Sequence, residues 1–147
     1  MLILRGITNL KAWPQYPKGA LDEQSALKYA SNRGYTGKVL DVSGETGDNS
    51  PQTKAALQTI RDDSSITALF GFSGGGYNVY WILKQLPQEQ LGRLKLVVVI
   101  GVEAIKRPAG SFDCNAYKAQ WELVYRNDPP SPWKHIDGPK CLLTGVY

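Results

Sequence analysis

Short apolar runs alternate along this chain with longer segments whose apolar positions recur at helical spacing. Residues 2–4, Leu-Ile-Leu, read as a short buried strand closed by Gly6. Residues 20–32 read as a helix: Asp22 and Glu23 place negative charge in the first turn, where the helix dipole favours it, and Gly34 stops the run. Residues 38–42 make a second strand. Ser50-Pro51 then pairs an N-cap side chain with proline at the first helical position, and Ala55, Ala56, Leu57 and Ile60 form the core face of the helix that follows. A third strand covers residues 66–70. Residues 77–86 predict a helix that is apolar nearly all round (Val79, Tyr80, Trp81, Ile82, Leu83, Leu86) and ends at Pro87, so it is expected to be buried. The run 94–100 is the clearest strand, with the continuous β-branched character of a central parallel strand. Residues 121–125 predict a fifth, and residues 141–144 suit a short edge strand. Strands alternating with helices imply an α/β fold with a mainly parallel sheet and helices on both faces, as a single domain over residues 1–147.

Composition narrows the class without changing that picture. A chain 42% hydrophobic and 20% charged has the balance of an ordinary globule. No run reaches the ~20 apolar residues of a membrane helix. Residues 1–5 begin directly as a strand, with neither a basic n-region nor a long apolar h-region, so a cytoplasmic chain is expected, export remaining open. The net charge of +4 is scattered, with Lys106-Arg107 its densest spot, and no basic stripe interleaved with aromatics points to nucleic acid. Cys114 and Cys141 show neither CxxC nor Cys/His metal spacing; one disulfide in an exported chain and two thiols in a cytosolic one are equally economical.

The residues with chemical content lie between the third strand and the buried helix. Gly71-Phe72-Ser73-Gly74-Gly75 is a Gly-x-Ser-x-Gly pentapeptide at a strand-to-helix junction. A serine there sits on a tight elbow with its hydroxyl pushed clear of the backbone, and small residues on either side let strand and helix approach. A serine hydroxyl needs a base within hydrogen-bond reach, and His135 is the only histidine in the chain. The order serine, acid, histidine (Ser73, then Asp128 in Tyr125-Arg126-Asn127-Asp128, then His135) resembles that of the serine hydrolases of the α/β-hydrolase fold.

That resemblance implies a minimal, three-layer α/β/α hydrolase-like core with a five-stranded sheet in the spatial order second, first, third, fourth, fifth. The winding then reverses between the first and third strands, and ligands in open α/β sheets bind beyond the carboxyl ends at such a point. It implies an esterase-like or lipase-like enzyme that needs no cofactor, with Ser73 as nucleophile, His135 as base and Asp128 as the acid that orients it. Asp113 is the second choice for the acid, Asp137 the third, and Glu103 an outside choice. The oxyanion hole would take the backbone N–H of Gly74 and one from Ile7 or Thr8, with Asn9 as a possible side-chain donor. The chain departs from the family in the short interval between Asp128 and His135, which looks more like the compact lidless enzymes of the cutinase and small-esterase type.

Without an insertion long enough for a lid, the irregular stretches 7–19, 44–50 and 104–119 must form the pocket rim, with Trp13, Tyr16, Tyr77, Phe112 and Trp133 as candidate lining. A small-molecule or lipid ester is the expected partner. Rival readings remain. Phe72-Ser73-Gly74-Gly75-Gly76 is similar to the Ser-Gly-Gly-x-Asp-Ser loop of pyrophosphatase-type ATP enzymes, but Tyr77-Asn78 replaces Asp-Ser. The same strand order would serve a flavodoxin-like binding module, and an inactive hydrolase-like protein could act through protein contacts.

Overall fold

The computed structural model describes residues 1–7, 21–100 and 120–124. Strands β1 (Leu2–Leu4), β2 (Lys38–Leu40), β3 (Ala68–Phe72), β4 (Leu96–Ile100) and β5 (Gln120–Val124) form one sheet in the order β2-β1-β3-β4-β5. Every neighbouring pair is parallel, in register Leu2↔Lys38, Leu2↔Leu69, Ala68↔Leu96 and Leu96↔Gln120. Helices α1 (Leu21–Asn32), α2 (Pro51–Asp62), α3 (Gly74–Gln85) and α4 (Gln88–Arg93) connect them. The α/β class, the parallel sheet and the strand order agree with the expectation from sequence.

Successive residues of a strand point to opposite faces, and the core divides accordingly. Leu2, Leu4, Leu69, Val97 and Val99 join one buried cluster with Ala56 and Ile60 of α2 and Val79, Tyr80, Ile82 and Leu83 of α3. Met1, Ile3, Ala68, Phe70, Leu96 and Val98 join a second with Ala26 and Ala30 of α1. Tyr29 tilts its ring against Phe70 in that second cluster, at a centroid distance of 5.6 Å. The expected burial of α3 holds on every side but the Trp81–Lys84–Gln85 edge.

Local signals set the helix ends. Ser50 caps α2: its Oγ accepts the Thr53 N–H at 3.2 Å, and Pro51 follows in the first turn. Gly34, at φ +79°, closes α1 while Tyr35 N–H donates back to Ala30 O at 2.9 Å. Several boundaries differ from the sequence expectation. The third strand runs from 68 to 72 rather than 66 to 70, since its pairing with β4 begins at Ala68. The second ends at Leu40 because Val42 N–H turns back onto Leu40 O at 2.8 Å. Helix α3 starts at Gly74 rather than residue 77, and the short α4, not expected from sequence, follows Pro87.

Candidate active site

Strand β3 ends at Phe72 and α3 begins at Gly74, so Ser73 alone turns the chain from strand into helix. It does so at φ 50°, ψ −118°, the only positive φ outside glycine among the described residues. An L-residue held in such a region is strained by about 1–3 kcal/mol and persists only where its surroundings enforce it. Ser50 also precedes a helix, but from ordinary extended backbone (φ −61°, ψ 154°), and it caps its own helix; Ser73 makes no side-chain cap. Ser73 is half-buried, and the residues directly after it, 74–80, are all buried.

The elbow is enforced by backbone contact. A Cβ placed on Gly71 would lie 2.6 Å from Gly75 O and 2.7 Å from Val79 Cγ2. One on Gly75 would overlap Leu4 O and sit 2.6 Å from Arg5 O. Real Cβ atoms do not come so close, so strand and helix can meet here only through glycine.

Two more segments close on the same point from the carboxyl ends of β1 and β2. A Cβ on Gly6 would lie 3.3 Å from Ser73 Cβ, and Ile7 Cγ1 is 3.0 Å from the Cβ position of Gly74. Gly44 N–H donates to Gly6 O at 3.0 Å, and Gly44 O packs directly on Gly74. The winding of the sheet reverses beside β1 and β3, because β2 lies on one side of β1 and β3 to β5 on the other. Crevices of that kind are where open parallel sheets receive ligands. Of the residues expected from sequence, Ser73, Gly74 and Ile7 come together here. Thr8, Asn9, Glu103, Asp113, Asp128, His135 and Asp137 lie outside the described residues, as do Cys114, Cys141, Trp13, Tyr16, Phe112 and Trp133. Tyr77 is a correction: it is 6% exposed and belongs to the core cluster of α2 and α3 instead of a pocket wall.

Polar groups that the sequence did not single out hold this end of the sheet. Arg5, 8% exposed, pairs with Glu23 of α1 at 2.7 Å and with Asp41 at 2.8 Å. Asp41 is 62% exposed against 15% for Glu23, so water screens the first partner and not the second. Glu23→Ala should therefore lower stability by about 1–3 kcal/mol, and Asp41→Ala by less than ~1 kcal/mol, in urea titrations. Equal effects would show that Arg5 does not depend on the buried partner.

Gln52 and Asn78 are wholly buried. Gln52 Nε2 donates to Arg5 O (3.0 Å) and Val42 O (2.8 Å). Asn78 Nδ2 donates to Glu45 O and Gln52 Oε1, each at 2.9 Å, and Asn78 Oδ1 accepts the Gly47 N–H at 3.1 Å. Flipping either amide would set oxygen against oxygen, so the network fixes both orientations. One clue was legible: an asparagine within the apolar stretch 77–83.

Among the described residues no group of histidine, cysteine or carboxylate side chains is arranged to hold a metal ion, and no helix is long and apolar enough to cross a membrane. No protein-family model, curated protein or solved structure matches this chain.

Proposed function

We propose that the chain is a serine hydrolase with a three-layer α/β-hydrolase-like core, cleaving small-molecule or lipid carboxylic esters. The observation that carries this reading is the backbone of Ser73: strained, half-buried, one residue wide between β3 and α3, at the reversal point of the sheet. Strain at one residue, walled by glycines that tolerate no Cβ, is the geometry expected of a nucleophile elbow.

In this reading Ser73 Oγ attacks the ester carbonyl carbon while His135 takes its proton. The negative charge formed on the carbonyl oxygen meets the Gly74 N–H, an unpaired donor of the first helical turn, and an N–H from Ile7 or Thr8. Collapse expels the alcohol, which takes the proton from His135, and leaves Ser73 acylated. Water, deprotonated by His135, then attacks the acyl group and restores the serine. Asp128 holds the imidazole in the required tautomer; the chain leaves β5 at the same carboxyl end of the parallel sheet as β3, four residues before it.

Intact mass after a fluorophosphonate probe tests the proposal. One adduct on wild type and none on Ser73→Ala is the expected result. A folded wild type that takes up no probe would refute it and turn attention to nucleotide and protein binding. Ester turnover should also rise with pH through an imidazole pKa near ~6–7, since the base must be neutral; a flat profile there counts against His135. Asp128→Asn should keep the fold and lose most turnover. Should Asp113→Asn do so instead, the orienting acid is Asp113.

A further inference from the structure

The serine hydrolase reading leaves open what aims the second oxyanion donor. We propose that Gln52 and Asn78 are positioning residues: through the 42–47 loop they hold the Gly6–Ile7 peptide with its N–H toward the oxyanion. This rests on the reading of Ser73 as nucleophile.

The described peptide bonds are all trans, so the Gly6 carbonyl and the Ile7 N–H point in opposite directions from one rigid plane. The Gly6 oxygen is held by Gly44 N–H at 3.0 Å, which turns the Ile7 N–H away from Gly44. Were that bond lost, the plane could rotate and present a carbonyl where a donor is needed. An oxyanion facing a carbonyl is repelled, so molecules with the plane rotated contribute little turnover.

Gly44 cannot hold this plane unaided, since it sits in an irregular loop. The carbonyls on either side of it are clamped instead. Val42 O is bound by Gln52 Nε2 and Glu45 O by Asn78 Nδ2, while the second Gln52 N–H binds Arg5 O, just ahead of Gly6. Asn78 Nδ2 joins the two amides through Gln52 Oε1. Asn78 also lies four residues after Gly74, one turn along the helix whose first N–H is the other donor. One helix thus carries one donor and sets the position of the other.

A purely structural pair would lower the amount of folded protein and leave each folded molecule as active as before. The test is therefore kcat and KM on p-nitrophenyl acetate per site titrated with fluorophosphonate, for Gln52→Met and Asn78→Ala. The control is Ile60→Ala, a destabilising change in the buried face of α2. We expect kcat to fall ~10–100-fold with KM within about twofold, because a misplaced donor is felt in the transition state. Inhibition by a trifluoromethyl ketone, whose adduct places an oxyanion in the same site, should weaken in parallel. The Ile60 variant should keep wild-type kcat per site. Should neither amide variant fold, Thr53→Val is the milder change, removing the Oγ1 bond to Gly47 O (2.7 Å) at the end of the loop and the one Oγ1 accepts from Ser50 Oγ (3.0 Å), with a several-fold loss of kcat expected. Unchanged kcat per titrated site in the variants that fold would overturn the positioning role while leaving Ser73 as nucleophile. Wild type that takes no probe overturns both.

Discussion

Ser73→Ala is expected to lower ester turnover by on the order of 10⁶-fold, the scale on which a serine hydrolase loses its nucleophile. Stability should stay close to wild type, because alanine keeps the Cβ and with it the strain at φ 50°. Ser73→Gly should be equally inactive and more stable. Relief of strain is worth about 1–3 kcal/mol, and the added freedom of glycine in the unfolded chain takes back roughly 0.5–1 kcal/mol. A net gain of up to about 2.5 kcal/mol over Ser73→Ala should appear as a higher urea midpoint at constant slope. The pair of variants separates chemistry from architecture. If glycine proves less stable than alanine, the elbow is not strained and the main support for a nucleophile is gone. If alanine retains turnover, the activity resides elsewhere.

The strain at Ser73 is tolerable only because its neighbours are overdetermined, and this was partly legible in the chain. The β-branched run at 97–99 lies buried in β4, and Ser50-Pro51 opens α2 as its residue types require. Intrinsic propensity misled at Gly74-Gly75-Gly76. Three glycines disfavour a helix by about 1 kcal/mol each, so residue 77 looked like its start. Tertiary contact decides otherwise, because Gly74 packs on Gly44 and Gly75 on the end of β1, and only glycine permits that approach. Residues 66–67 fall within the apolar run 66–70 that reads as a strand. Ile66 is buried, yet its N–H returns to Asp63 O at 3.2 Å, so it closes a turn under the sheet. Burial and strand pairing are separable, and hydropathy reports only the first.

The amides of Gln52 and Asn78 mark a different limit. Local sequence shows a glutamine near the start of an amphipathic helix, where a solvated side chain is the ordinary outcome. Its burial follows from partners ten and forty-seven positions away, Val42 O and Arg5 O. Such a network becomes visible only when the three segments are brought to one edge of the sheet. Because its members are buried and mutually satisfied, the loop beside Ser73 has one favoured arrangement, which a preorganised site requires.

Gly75→Ala sets local and tertiary preferences directly against each other. Helix propensity alone predicts a gain of about 1 kcal/mol for alanine in place of glycine in α3. The new methyl group would meet Leu4 O, Leu4 C and Arg5 O, all backbone atoms of β1 and its continuation, none of which can rotate aside. Helix and strand must then separate, opening the packed face shared by Leu4, Leu69 and Val79. The expected outcome is a loss of about 3–5 kcal/mol, at the severe end for one added methyl group, together with loss of turnover as Ser73 and Gly74 move from Gly6 and Ile7. Gly92→Ala is the matching control: exposed in α4, with nothing within 4 Å of its Cβ position, it should gain about 0.5–1 kcal/mol. Opposite signs for the same substitution, read from urea midpoints, would show that close approach rather than helix preference rules the elbow. A neutral or stabilising Gly75→Ala would mean that β1 and α3 do not touch as described, and the convergence of Gly6, Gly44 and Gly74 beside Ser73 would fall with that contact.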